Sequence, residues 1–157
     1  MARASLRGRL PDCRSMSGGN RAVTPAVSAR ALDGFFPGDL GIELVSIEDE
    51  LVTGRLVVDR RHLHPGGYVH GGVWVALADT VAAWGTMRNL APGLNFTTIE
   101  LKTNVFVAGS VGDELLATGE PLHRGRRTQV WEVRVRNTQR LAANFICTQM
   151  ILGSEAA

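Results

Sequence analysis

Residues 73–87, VWVALADTVAAWGTM, constrain this chain more than any other stretch. Their only polar side chains are Asp79, Thr80 and Thr86, and Val73, Trp74, Val75, Ala76 and Leu77 run consecutively, so no single apolar stripe stands out. A helix that is apolar all round is a buried helix. Asp79 is the one charge inside it. A lone carboxylate is costly to bury, so it needs a partner, a proton or a chemical task. Desolvation raises its pKa, which suits a base or nucleophile working near neutral pH. The plain alternative is an Asp that reaches solvent or caps a neighbouring loop.

The entry to the helix adds a second feature. Gly71 and Gly72 precede the apolar run, and Gly66 and Gly67 lie just upstream. Glycine lets a backbone N–H approach a ligand closely. The first amides of a helix are unpaired and carry the positive end of its dipole, a setting that stabilises an oxyanion. One short segment therefore offers an oxyanion site and, two turns on, a carboxylate, as acyl transfer or hydrolysis would need. Glycines before a helix also occur in ordinary turns.

His70-Gly71-Gly72, six residues and then Asp79 resemble the HGG-x6-Asp/Glu signature of hotdog-fold acyl-CoA thioesterases, in particular the phenylacetate-degradation type and its 4-hydroxybenzoyl-CoA relatives. Thr98-Ile99-Glu100-Leu101-Lys102 resembles the Ser/Thr-x-Asp/Glu-Leu strand that follows the helix in that family. Residues 119–132, GEPLHRGRRTQVWE, resemble its H-x-G-R hairpin. The likeness runs from about Leu40 to Leu152. It departs from the pattern at His64, where the family usually carries Asn or Gln to polarise the thioester carbonyl.

Composition fits this resemblance and excludes several classes. A chain of 157 residues, 45% hydrophobic, suits one ordinary domain. Cys13 and Cys147 lie far apart and form no redox or metal motif, and a reducing compartment, the cytoplasm, is the default. No apolar run approaches the roughly 18–20 residues of a membrane span. Net charge is +2, but residues 1–30 hold six arginines against Asp12 alone. That leaves the remainder at −3, unlike a basic nucleic-acid module. Residues 1–30 lack hydrophobic periodicity and are rich in Arg, Ser, Gly and Ala. We expect a disordered N-terminal extension there, or one that includes an upstream start, with Met16 as a later candidate. A nucleic-acid arm or transit-like peptide is the alternative. Residues 31–157 are expected to form a single domain.

Along that domain, residues 31–37 read as a helical turn whose Phe35 and Phe36 pack on the sheet, ended by Pro37-Gly38. Strands are expected at 41–47 and 51–58, then a Pro/Gly-bearing loop to Tyr68, then the helix, stopped before Pro92-Gly93. Further strands follow at 96–107, 114–123, 126–136 and 141–152 in meander order. The expected fold is α+β, a curved antiparallel sheet wrapped around one long central helix, which is also what the resemblance implies. A ferredoxin-like domain would want a second substantial helix.

Asp79 is the candidate catalytic residue, as general base for water or as nucleophile. Gly71 is the candidate oxyanion donor; its plain alternative is a tight loop. His64 stands in the Asn/Gln place, where a neutral imidazole could donate one hydrogen bond to the carbonyl, although a solvent-facing loop histidine is the simpler reading. By resemblance, His70 and Gly72 order the substrate-binding loop. By resemblance too, Thr98 helps position the attacking water, with Thr97 as its rival. The resemblance also sends the Arg124, Gly125, Arg126 and Arg127 hairpin to the phosphates of coenzyme A, which suits arginine; the alternative is a solvated basic turn. His62, His64 and His70 invite a metal reading, but no Cys or acidic ligand with matching spacing lies nearby, and no metal or cofactor is expected. The expected substrate is an aryl or medium-chain acyl-CoA. The resemblance implies a homodimer, commonly a dimer of dimers, with Gly71 and His64 of one chain facing Asp79 and Thr98 of the next. A hotdog enoyl-CoA hydratase or dehydratase, or a non-catalytic acyl-CoA-binding module, are the competing functions.

Overall fold

A computed structural model describes residues 34–138 and 140–153. The expected N-terminal extension and Cys13 lie outside the described residues. Among those described, one long helix, α2 (Gly71–Arg88), packs against a six-stranded antiparallel sheet of β1 (Glu43–Ile47), β2 (Val52–Val57), β3 (Asn95–Val105), β4 (Glu114–Arg124), β5 (Thr128–Asn137) and β6 (Arg140–Leu152). The helix touches all six strands. This is the expected hotdog architecture.

Alternation sorts the strands as their sequences suggest. Trp131, Val133 and Val135 of β5 and Ala143, Phe145 and Cys147 of β6 are fully buried against α2, while Arg134 and Arg136 face outward to solvent. The core joins these to Val52, Leu56, Leu115 and Ala117 on the sheet and to Trp74, Leu77, Ala78, Val81 and Ala82 on the helix. Small residues let the layers close. A Cβ at Gly85 would stand 2.3 Å from the Trp131 ring, so only glycine lets the indole come this close to the helix backbone there.

Two expectations need correction. The sheet order is β1-β2-β4-β5-β6-β3, so the last four strands are not a meander. Of these four, only β4, β5 and β6 are joined as sequential hairpins, and β3 pairs with β6 at the far edge. The segment from β3 to β4 crosses back past the start of the helix instead of turning tightly. It is held there by the Val69 N–H on the Gly109 carbonyl and the Val58 N–H on the Asp113 carbonyl. Second, the early helical turn is α1 (Phe36–Asp39), which contains Pro37-Gly38 instead of ending there. Proline fits a first turn, where its missing N–H has no partner anyway. Phe35 and Phe36 are each 66% exposed and do not pack on the sheet. The sheet covers much of the circumference of α2, as expected, but not all of it. Gly71, Gly72, Val75, Asp79, Ala83 and Met87 form a stripe that the sheet leaves partly or wholly open.

Candidate active site

The loop into α2 is ordered by three histidines with different tasks. His62 is fully buried. Its Nδ1 accepts the Asp59 N–H at 2.9 Å and its Nε2 lies 2.8 Å from the Leu40 carbonyl, so both ring nitrogens are spent on the fold. His70 is the N-cap of α2, and its Nδ1 accepts the Gly72 N–H at 3.0 Å. That cap replaces one of the helix's missing hydrogen bonds. The Gly71 N–H keeps no acceptor among the described residues. A Cβ at Gly71 would meet nothing within 4 Å, and its φ is not left-handed. Packing within the chain therefore does not require glycine at 71.

His64 is half-buried, and its Nδ1 accepts the Gly66 N–H at 2.9 Å. A neutral ring bonded in this way carries its proton on Nε2, which makes that nitrogen a donor. His64 shares with Arg60, Leu63, Pro65 and Gly67 the wall of a cleft of about 370 Å³. The three histidines thus do not converge. Among the described residues, no three His, Cys, Asp or Glu gather as a metal site.

Asp79 sits in the open stripe of α2. The Thr98 hydroxyl of edge strand β3 donates to its Oδ1 at 3.1 Å. A bulge between Thr98 and Glu100 lies just after this contact. Thr97, the rival, is exposed on the opposite face of the strand. Burial pushes the Asp79 carboxyl above its ordinary value, and the Thr98 hydrogen bond partly offsets that. Beside it Cys147 is pushed up to about 12, first by burial and then by the Asp79 charge, so it stays a neutral thiol.

Two further buried polar residues lie near Thr98. Gln149 is fully buried, pairs with Thr98 in the β3–β6 register, and its Nε2 lies 3.5 Å from the Thr98 oxygen. Gln129 pairs with Gln149 across β5–β6 and accepts the Trp131 indole N–H at 3.2 Å. The signal was available: Gln149 continues the inward set of Ala143, Phe145 and Cys147 on β6.

The hairpin arginines divide. Arg124 Nη1 donates to the Asp49 carbonyl and to Asn89 Oδ1, and Nη2 pairs with Glu50. It ties the β1–β2 turn to the end of α2. Arg126 and Arg127 are exposed, with no carboxylate partner among the described residues, side by side in the short turn into β5. Gly125 needs to be small, because a Cβ there would stand 2.5 Å from His123 Nε2.

Residues 66–143 match the thioesterase superfamily profile. The chain is 34% identical to the 1,4-dihydroxy-2-naphthoyl-CoA hydrolase of Listeria monocytogenes over 69% of its own length and 89% of that protein's. Its fold matches a thioesterase of Haemophilus influenzae with a TM-score of 0.75 at 25% identity, over 80% of this chain and 87% of that one. The Escherichia coli PaaI protein of the phenylacetic acid degradation operon gives 0.72 at 25% identity, over 83% and 94%.

Proposed function

Because the chain belongs to the thioesterase superfamily, we propose that this thioester hydrolase cleaves an aryl or medium-chain acyl-CoA to the free acid and coenzyme A, with Asp79 as the reacting carboxylate. The observation that carries the proposal is a half-buried carboxylate in the open stripe of α2, hydrogen-bonded on one oxygen to Thr98. Water adds to the thioester carbonyl carbon while Asp79 takes its proton. The carbonyl oxygen becomes an oxyanion beside the Gly71 N–H, with the His64 Nε2–H as a second donor. The C–S bond then breaks, and the coenzyme A thiolate recovers the proton from Asp79. In the alternative route Asp79 itself adds to the carbonyl, the C–S bond breaks to release the coenzyme A thiolate, and water opens the resulting anhydride to the free acid while one of its protons passes to the thiolate. Both routes need Asp79 ionised.

One helix cannot complete this site. Gly71 and Asp79 are eight residues apart, about 12 Å along the axis, too far for one carbonyl group to meet both. A second copy, its helix beside the first, would bring Gly71 and His64 of one chain to Asp79 and Thr98 of the other. The open stripe on α2 supports this, as do Ile99, Leu101 and Phe106, exposed on or just after edge strand β3. We read the assembly as a homodimer, paired again into a tetramer, working in the cytoplasm. Arg126 and Arg127 are the cations proposed for the coenzyme A phosphates. The naphthoyl thioester named for the Listeria relative supports an aryl acyl group.

A thiol-release assay over a panel of acyl-CoAs tests the reading. Asp79→Asn is expected to lower turnover by about 100-fold or more while coenzyme A binding survives. Undiminished turnover by that variant would remove Asp79 from the chemistry. An enoyl-CoA absorbance change without thiol release would indicate a hydratase instead.

A further inference from the structure

Deepening the reading of Asp79, on which it rests, we infer that Gln149 is a positioning residue whose buried amide fixes the direction of the Thr98 hydroxyl proton. A threonine hydroxyl has one proton to give and two lone pairs with which to accept. Here the proton goes to Asp79 Oδ1 at 3.1 Å. Gln149 Nε2 approaches the same oxygen from β6 at 3.5 Å, the long end of the hydrogen-bond range. With an N–H pointing at it, the hydroxyl accepts from Gln149 and donates to Asp79. With the amide turned over, Oε1 would compete with Asp79 for that single proton.

A purely structural glutamine does not explain the arrangement. Gln149 is fully buried, and its Oε1 has no hydrogen-bond partner among the described residues. An unsatisfied buried oxygen costs stability, and an apolar side chain of the same length would avoid the cost. The neighbours on β6, Phe145 and Cys147, are apolar and equally buried. The position therefore keeps a polar group at the expense of the fold, next to the Thr98 hydroxyl that donates to the reacting carboxylate.

The surrounding groups leave the effect readable. Cys147 on β6 remains a neutral thiol in the working pH range. Glu100 on β3 lies 3.5 Å from the Thr148 hydroxyl, on the side of the sheet away from Gln149. The groups that β5 brings alongside, Gln129 and Trp131, do not titrate. Asp79 is the group whose titration a change at Gln149 reaches through Thr98.

The test is the pH profile of kcat for Gln149→Leu and for Gln149→Met, each measured alone and in a Thr98→Val background, with thermal unfolding of every variant. Without the amide donor the hydroxyl points to Asp79 only part of the time, and the carboxylate loses some of its support. The acid limb is expected to move up by about 0.5–1 pH unit, with about 3–10-fold less turnover on that limb and little change on the plateau or in KM. In the Thr98→Val background neither Gln149 variant should shift the limb further. Melting temperature should hold or rise. An unmoved limb in both variants overturns the inference, and so does an equal shift with and without Thr98. Asp79→Asn is run beside them. If it keeps full turnover, the underlying reading fails and this inference falls with it. If it is inactive and the limb stays still, only the role of Gln149 is lost.

Discussion

The His64 imidazole lies so close over Gly66 that a methyl group at residue 66 would stand 2.5 Å from its Cε1 and 2.9 Å from its Nδ1. Gly66 also donates its N–H to that Nδ1. The glycine thus sets both the position of the ring and the nitrogen that carries its proton. Gly66→Ala should push the imidazole aside and lower kcat/KM about tenfold, ~1.4 kcal/mol of transition-state stabilisation. His64→Ala should cost about 100-fold, as the loss of one donor to an oxyanion does. Adding Gly66→Ala to His64→Ala should then cost nothing more. His64→Gln, which restores an N–H donor, should recover most of the loss. Steady-state kinetics on one acyl-CoA decide this, and an unaffected His64→Ala would return the histidine to the role of a loop residue.

The proposed role of Asp79 predicts a pH dependence for both activity and stability. Burial raises its pKa, so the acid limb of kcat should lie above the ordinary carboxylate range. Thr98→Val removes the contribution that lowers the pKa, and should move the limb higher still. Stability runs the other way. Between the unfolded and folded pKa values the native state binds the extra proton, so unfolding free energy falls as pH rises through that window. Above it the penalty is fully present. Asp79→Asn should therefore melt at a higher temperature than the parent at pH 7 while losing about 100-fold or more in turnover. Equal melting curves at pH 7 would mean that the carboxylate pays no desolvation cost.

Much of this arrangement was legible from the chain. An apolar run interrupted by one acid marks α2 and Asp79, because burial and charge conflict there. Alternation, apart from Val130, marks β5, because one of its faces lies on the core. The position of β3 was not legible. Ile99, Leu101 and Val105 make it read like an interior strand, yet in one chain it is an edge whose apolar residues stay exposed. Local pattern reports the hydrophobicity of a strand, not which chain covers it. The contacts of Arg124 were not legible either. Its partners Asp49, Glu50 and Asn89 lie 35 or more residues away, and no spacing rule reveals such a contact.

Complementation tests the shared site directly. Gly71 is the first residue of α2, a position where proline is well tolerated and removes only the N–H. Gly71→Pro and Asp79→Asn homodimers should each be nearly inactive. In a mixture refolded at equal ratio, about half the dimers are mixed, and each of those carries one intact site of its two. Activity should rise to about a quarter of the parent's. If the mixture stays as inactive as its parts, Gly71 and Asp79 do not act across two chains.

The hairpin arginines should separate by function. Arg124 joins Asp49, Glu50 and Asn89, so Arg124→Ala removes a clamp between the β1–β2 turn and the end of α2. Its expected cost is stability, about 1–2 kcal/mol, with KM little changed. Arg126 and Arg127 are exposed and have no carboxylate to satisfy them among the described residues, so their charge is available to a polyanion. The double change to alanine should leave the melting temperature in place and raise KM for acyl-CoA about tenfold, since phosphate pairing with arginine is charge-assisted. The same acyl group carried on N-acetylcysteamine, which has no phosphate, should show no such change. Added salt should raise KM for the parent more than for the double variant, because screening acts on the charges that the variant lacks. A KM increase of equal size with both thioesters would assign these arginines to the acyl end of the site, not to the nucleotide.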